Sequence, residues 1–145
     1  MRFLITLAVV LLQVLPTYAQ EARRRWEMQR QIRLDKFEQV LPRAMRDNGI
    51  DMWIVAVKEN HYDPLWNDLG RGYVSGIGYY VFTDRGGDPI ERATHGPSGY
   101  MMSESGANDI IAAASTLADH VKARNPTRIG LNMSEQIGPA DGLSV

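Results

Sequence analysis

The stretch from Leu34 to Val57, LDKFEQVLPRAMRDNGIDMWIVAV, limits the folds open to this chain more than any other. Behind Leu34, the apolar residues Phe37, Val40, Leu41, Ala44 and Met45 recur at the spacing of one helix face. Pro42 interrupts that pattern and lacks an amide hydrogen, which predicts a kink or a restart near Leu41. Asn48-Gly49 supplies the two residue types that best tolerate the left-handed backbone closing a helix. Met52 to Val57 is then an unbroken apolar run rich in β-formers, the pattern of a strand covered on both faces. A helix that feeds a buried strand through so short a turn is an α/β unit.

Residues 1–19 stand outside that argument. Arg2 is followed by the apolar core Phe3–Leu15, and Pro16-Thr17-Tyr18-Ala19 places small residues where a signal peptidase cuts. The expectation is a signal peptide over 1–19, cleaved between Ala19 and Gln20, an exported (periplasmic or secreted) product and a single domain over 20–145. A membrane span takes about 20 apolar residues, so this core predicts no stable span. The chain has no cysteine, which removes lipid-modified cysteine and disulfides from consideration.

Cleavage would remove one positive charge from a formal net charge of −1. A chain so close to neutral has no long-range field to gather nucleic acid. Arg23-Arg24-Arg25, Arg30, Arg33 and Lys36 are offset by Glu21, Glu27, Asp35 and Glu38, and read as the solvated side of a helix start. Three arginines at a helix N-terminus oppose its dipole, which predicts a frayed first turn.

Beyond the strand, Asp63-Pro64 has the form of a helix cap, and Leu65, Trp66 and Leu69 give a short helix closed by Gly70. In an α/β sheet, a loop at the C-terminal end of a parallel strand is where ligands bind. His61, Tyr62 and Trp66 would line that edge, against the plainer reading of a connecting helix whose tryptophan packs on the sheet. The glycines from Gly70 to Gly78 match neither a phosphate-binding loop nor a nucleophile elbow, since Ser75, Tyr73 and Ile77 occupy the positions that need glycine. They are expected to turn the backbone.

Ile77 to Thr94 predicts a hairpin: strand-like Tyr79–Thr83, the turn cluster Asp84–Pro89, and an alternating return over Ile90–Thr94. Asp84, Asp88 and Glu91 fit the acidic chemistry of such turns better than a metal site. Ser103 or Ser105 is then expected to cap an amphipathic helix bearing Ile110, Ala114, Leu117, Ala118 and Val121, stopped at Asn125-Pro126. Arg128 to Met133 predicts another strand, and Gly138 to Leu143 the start of a further element. His61, His95 and His120 are far apart in sequence, with no histidine four residues from another, and His120 reads as a helix-surface residue. No metalloprotease helix, nucleotide-binding loop or thiol nucleophile is present. A ribonuclease H-like nuclease would need acids on its strands to hold two metals, and the pattern supplies no such set.

Four segments taken together are more specific: LDKFEQVLPRAMRDNGIDMWIV, LWNDLG, VFTDRGGDPIERA and RIGLNMSEQIGPADGLS. The chain from Leu34 to Ser144 resembles the N-terminal domain of the creatinase/prolidase/aminopeptidase P family of metallopeptidases. The resemblance implies a three-layer α/β/α domain with a mixed sheet, ribonuclease H-like in fold, that ends before its last element. It implies a homodimer in the parent protein, and a role in shaping the entrance to an active site held by the domain's own C-terminal catalytic partner. Two divalent metals, such as Mn, are expected in that catalytic domain only. Catalytic and metal-ligating residues are therefore expected nowhere in this chain, which should be inactive alone. His61, Tyr62 and Trp66 would lie at the substrate entrance or a dimer contact. The alternative is a stand-alone module that binds a small ligand or peptide along the 58–72 loop.

Overall fold

A computed structural model describes residues 2–60, 65–70, 72–87, 89–134 and 143–144, with side chains described from residue 18 to 133. Two compact units divide the chain at Ile32 and Arg33. The first lies within helix α1 (Arg2–Asp35). That helix runs unbroken through Arg23–Arg25, so the expected fraying does not occur. The arginines do not stand at its N-terminus, and Glu21 accepts from both Arg24 and Arg25 at 2.9 and 2.8 Å.

The second unit is built on a five-stranded mixed sheet in the order β4-β3-β2-β1-β5. Its strands are β1 (Met52–Lys58), β2 (Ile77–Thr83), β3 (Glu91–His95), β4 (Ile110–Ala112) and β5 (Ile129–Leu131). The β1–β2 and β2–β3 pairs are antiparallel, whereas β5 runs parallel to β1 and β4 parallel to β3. The apolar run at 52–57 thus lies next to the sheet's edge strand β5, and its residues alternate between two buried clusters.

One π-helical turn, Lys36–Val40, separates α1 from α2 (Leu41–Asp47), which restarts with Pro42 in its first turn as its missing N–H allows. The wider turn carries the register with it. Phe37, Leu41 and Met45 are buried, while Val40 and Ala44, expected on the same face, are exposed. Gly49 closes α2 at φ 63°, and a salt bridge from Arg46 to Asp84 (2.7 Å) pins the helix to the β2–β3 turn.

A short helix α3 (Trp66–Leu69) packs on the same face as α2. Arg33 donates to the carbonyls of Asn67 and Asp68, covering its open C-terminal end. The hairpin reading of 77–94 holds, with Tyr79 paired to His95 and Thr83 to Glu91.

The reading of 103–125 as one helix does not hold. Helix α4 (Tyr100–Ser105) begins before Ser103, and Gly106 ends it in the left-handed conformation. Ile110 then lies in β4, paired with Ala93, where the Asp109 carboxylate accepts the Arg92 amide at 2.9 Å. Strand pairing has overridden the helical spacing there. Beyond β4, a 3-10 turn at Ala114–Thr116 and helix α5 (Leu117–Arg124) are helical.

Asp51 joins the start of β1 to that of β5 by accepting from the amides of Thr127 and Arg128 at 2.6 and 2.7 Å. Beyond Leu131 the Asn132 side chain bonds both the N–H and the carbonyl of Ala56, continuing the ladder by one step. Strands β6 (Met133–Ser134) and β7 (Leu143–Ser144) form a separate parallel pair. The element expected from Gly138 otherwise lies outside the described residues.

Candidate functional site

The two faces of the sheet differ in chemistry. On one, Val55, Val57, Tyr80 and Phe82 pack against Phe37, Leu41 and Met45, with Trp66, Leu69 and Met102 closing the cluster. Phe82 touches the rings of Phe37 and Trp53, each at a centroid distance of 5.3 Å. The Tyr80 hydroxyl is buried with it and donates to the Gly70 carbonyl. Burial pushes that phenol well above its ordinary range.

On the other face, Met52, Ile54, Val81 and Ala93 form a smaller cluster under Leu117 and Val121 of α5. Here the alternation of β3 puts Glu91, Ala93 and His95 in one row. Helix α5 answers with Leu117, His120, Val121 and Arg124, at helical spacings of three and four. The result is a polar cluster inside an otherwise apolar layer.

His95 and His120 are both buried and meet edge to face, with ring centroids 4.5 Å apart. The reading of His120 as a surface residue is therefore corrected: it occupies the inner side of α5, where Leu117 and Val121 also point. The Thr116 hydroxyl donates to the Ala113 carbonyl at 2.7 Å, which leaves its oxygen to accept from His95 Nδ1 at 2.8 Å. That chain puts the proton of a neutral His95 on Nδ1 and leaves Nε2 bare. Neither Nε2 makes a hydrogen bond among the described residues; that of His120 stands 3.8 Å from Glu91 Oε1. Glu91 is engaged by Arg124, which bonds it directly, and by Arg85 at 3.8 Å.

The electrostatics follow from this arrangement. Burial, then the positive charge of Arg124 and the neighbouring His95, take His120 from an ordinary 6.5 to about 4, against the weaker pull of Glu91. Burial lowers His95 as well, and its contact with the Ala113 carbonyl only partly offsets this. For Glu91, burial acts to raise the carboxyl, but the hydrogen bond and charge of Arg124, with Arg85 and His120, hold it below the usual range. At neutral pH the cluster is thus two neutral rings beside a compensated carboxylate. It can bind protons, at a cost.

The residues singled out by sequence are placed differently. Trp66 is buried, edge to face with Tyr80 at 6.2 Å. His61 and Tyr62 lie outside the described residues, and Ala19 and Gln20 are exposed along α1. Asp84 accepts from Arg46 and from the Gly86 amide, and the Arg46 hydrogen bond above all lowers its carboxyl. Asp88 is outside the described residues. Among the described residues no group of three His, Cys, Asp or Glu side chains is placed to hold a metal ion, and no helix is long and apolar enough to cross a membrane.

The histidine pair was missed because each ring was weighed alone. Its signal lay in two patterns: 91, 93 and 95 on one strand face, and 117, 120, 121 and 124 on one helix face. No family model, curated protein or solved structure matches the chain.

Proposed function

We propose that this chain acts as the non-catalytic N-terminal domain of an exported, proline-peptide metallopeptidase-like hydrolase of the creatinase/prolidase/aminopeptidase P type. In that role it shapes the dimer and the approach to an active site formed by a separate catalytic domain. Residues 1–19 would serve as its signal peptide, and His61 and Tyr62 would belong to the side facing substrate or the second subunit, whereas Trp66 is packed into the core. The finer fold assignment, a ribonuclease H-like three-layer domain, belongs to the same proposal.

One observation carries the reading. Two of the acids that a hydrolytic metal site would recruit from the family-like hairpin VFTDRGGDPIERA, Asp84 and Glu91, already hold the fold together. Asp84 is tied to Arg46 of α2, and Glu91 to Arg124 of α5, so each locks a helix to the sheet. Withdrawing either carboxylate to bind a metal would leave its arginine partner without its ion pair. The hairpin therefore supports a scaffold role, with chemistry supplied elsewhere.

The decisive experiment is to read the transcript past codon 145. A continuation, in frame or after a single frameshift, encoding two aspartates, a histidine and two glutamates in the order of the family's catalytic domain is the expected result. Sequence without that set would overturn the proposal. Independently, the purified chain supplied with Mn, Co or Zn should hydrolyse no X-Pro peptide. Turnover abolished by a chelator would place catalysis in this domain.

A further inference from the structure

We propose that His95 and His120 form an acid-sensitive latch that holds α5 on the sheet and releases it when either ring takes up a proton. This goes beyond the scaffold role and does not depend on it.

The latch rests on what surrounds the two rings. From β3 come Glu91 and His95 itself; from the β2–β3 turn, Arg85; from α5, His120 and Arg124; from the 3-10 turn, the uncharged Thr116. Tyr79 of β2 stands in register with His95, and β4 presents no titratable group. The remaining charges of α5, Asp119 and Lys122, are exposed to water.

Glu91 is thus the only acid identified in the cluster, and two arginines already share it. A proton on His120 would face Arg124, four residues along its own helix, and the His95 ring. A proton on His95 Nε2 would sit in a buried spot with no acceptor identified among the described residues. In both cases the new charge gains its hydration only if α5 lifts away. What opposes that motion is the Arg124–Glu91 ion pair and a small apolar contact. Helix α5 has eight residues, and its apolar hold on the sheet comes from Leu117 and Val121, both only partly buried. Its departure would uncover Met52, Ile54, Val81 and Ala93, an apolar surface that exists only in the open state.

The test is hydrogen exchange on the full chain, comparing the segment 114–125 with the internal reference 52–58. Each ring that gains a proton on opening should raise the α5 opening equilibrium by about tenfold per pH unit between ordinary histidine pKa and the folded value. The expected result is that 114–125 loses protection from about pH 7 to pH 5 while 52–58 keeps its own. In His120→Leu, which keeps an apolar side chain on the sheet, the slope should shrink. Parallel loss in the two segments would overturn the latch, as would an unchanged slope in His120→Leu. Should that variant fail to fold, ring proton resonances of the wild-type chain decide the matter. Folded-state titration of both rings at the ordinary histidine value would overturn the proposal; titration well below it, with loss of protection over 114–125 but not 52–58 in the same wild-type chain, would uphold it.

Discussion

The two faces of this sheet are held by different physics. One carries a contiguous aromatic and aliphatic core under α2, α3 and α4, with Phe82 at its centre. The other is a narrow apolar strip under a single short helix, interrupted by two histidines and an ion pair. Burial of apolar surface is insensitive to pH and tolerant of small shifts. A buried polar cluster depends on protonation state and on every partner being in place. The first face should therefore set how stable the domain is, and the second when it changes.

The largest effect should come from Phe82→Ala. Phe82 is almost fully buried between two rings, and truncating such a residue costs about 3–5 kcal/mol. That is a large part of the roughly 5–15 kcal/mol available to a domain. Leu117→Ala, on the half-buried inner side of α5, should cost about 2 kcal/mol, the low end for leucine. Denaturant titration of the two variants checks this. Equal losses would mean that the faces contribute alike and that the comparison drawn above is wrong.

Acid provides the second test. A histidine whose folded value is depressed binds its proton more readily in the unfolded chain. Stability is then complete above about pH 6.5 and drains as the pH falls toward 4, the value to which His120 is lowered. At pH 5 the loss from His120 alone should reach about 2 kcal/mol. Glu91 acts later, because a carboxylate held below its usual range keeps its contribution until the pH falls through that lower value. Phe82→Ala should therefore shift the whole stability-against-pH curve down without changing its shape, whereas His120→Leu should flatten it between pH 6.5 and 4. A wild-type curve that is level across that window would break the link between the cluster and stability.

Much of this architecture was legible in the chain. The run 34–57 gave the helix, its stop at Gly49 and the strand, because hydrophobic spacing and a left-handed terminator act locally. The hairpin was equally plain. What local pattern could not show was anything decided by pairing across the fold. Ile110 sits at helical spacing from Ala114 and Leu117, yet β3 recruits it into a parallel edge strand. Val40 and Ala44 fit the helix face until one π-helical turn rotates them outward. The histidine pair lies furthest from view, since the 24 residues of intervening chain had to fold before the two rings could meet.

The smallest effect tests where the thin face ends. Ile129 and Leu131 of β5 are in register with Met52 and Ile54, so their side chains lie on the face that α5 covers. Yet they are 40% and 44% exposed, because α5 packs its Leu117 and Val121 against Met52, Ile54, Val81 and Ala93 and leaves the β5 margin to solvent. Replacing a side chain nearly half in water removes little burial, and threonine is as well suited to a strand as leucine. Leu131→Thr should thus change stability by no more than about 0.5 kcal/mol. The measurement is sharper when repeated over a hundredfold range of protein concentration. A cost near 2 kcal/mol that appears only in concentrated samples would mean that a second copy covers this margin in solution. The thin face would then be the exposed half of a larger one, and its weakness a property of the isolated chain.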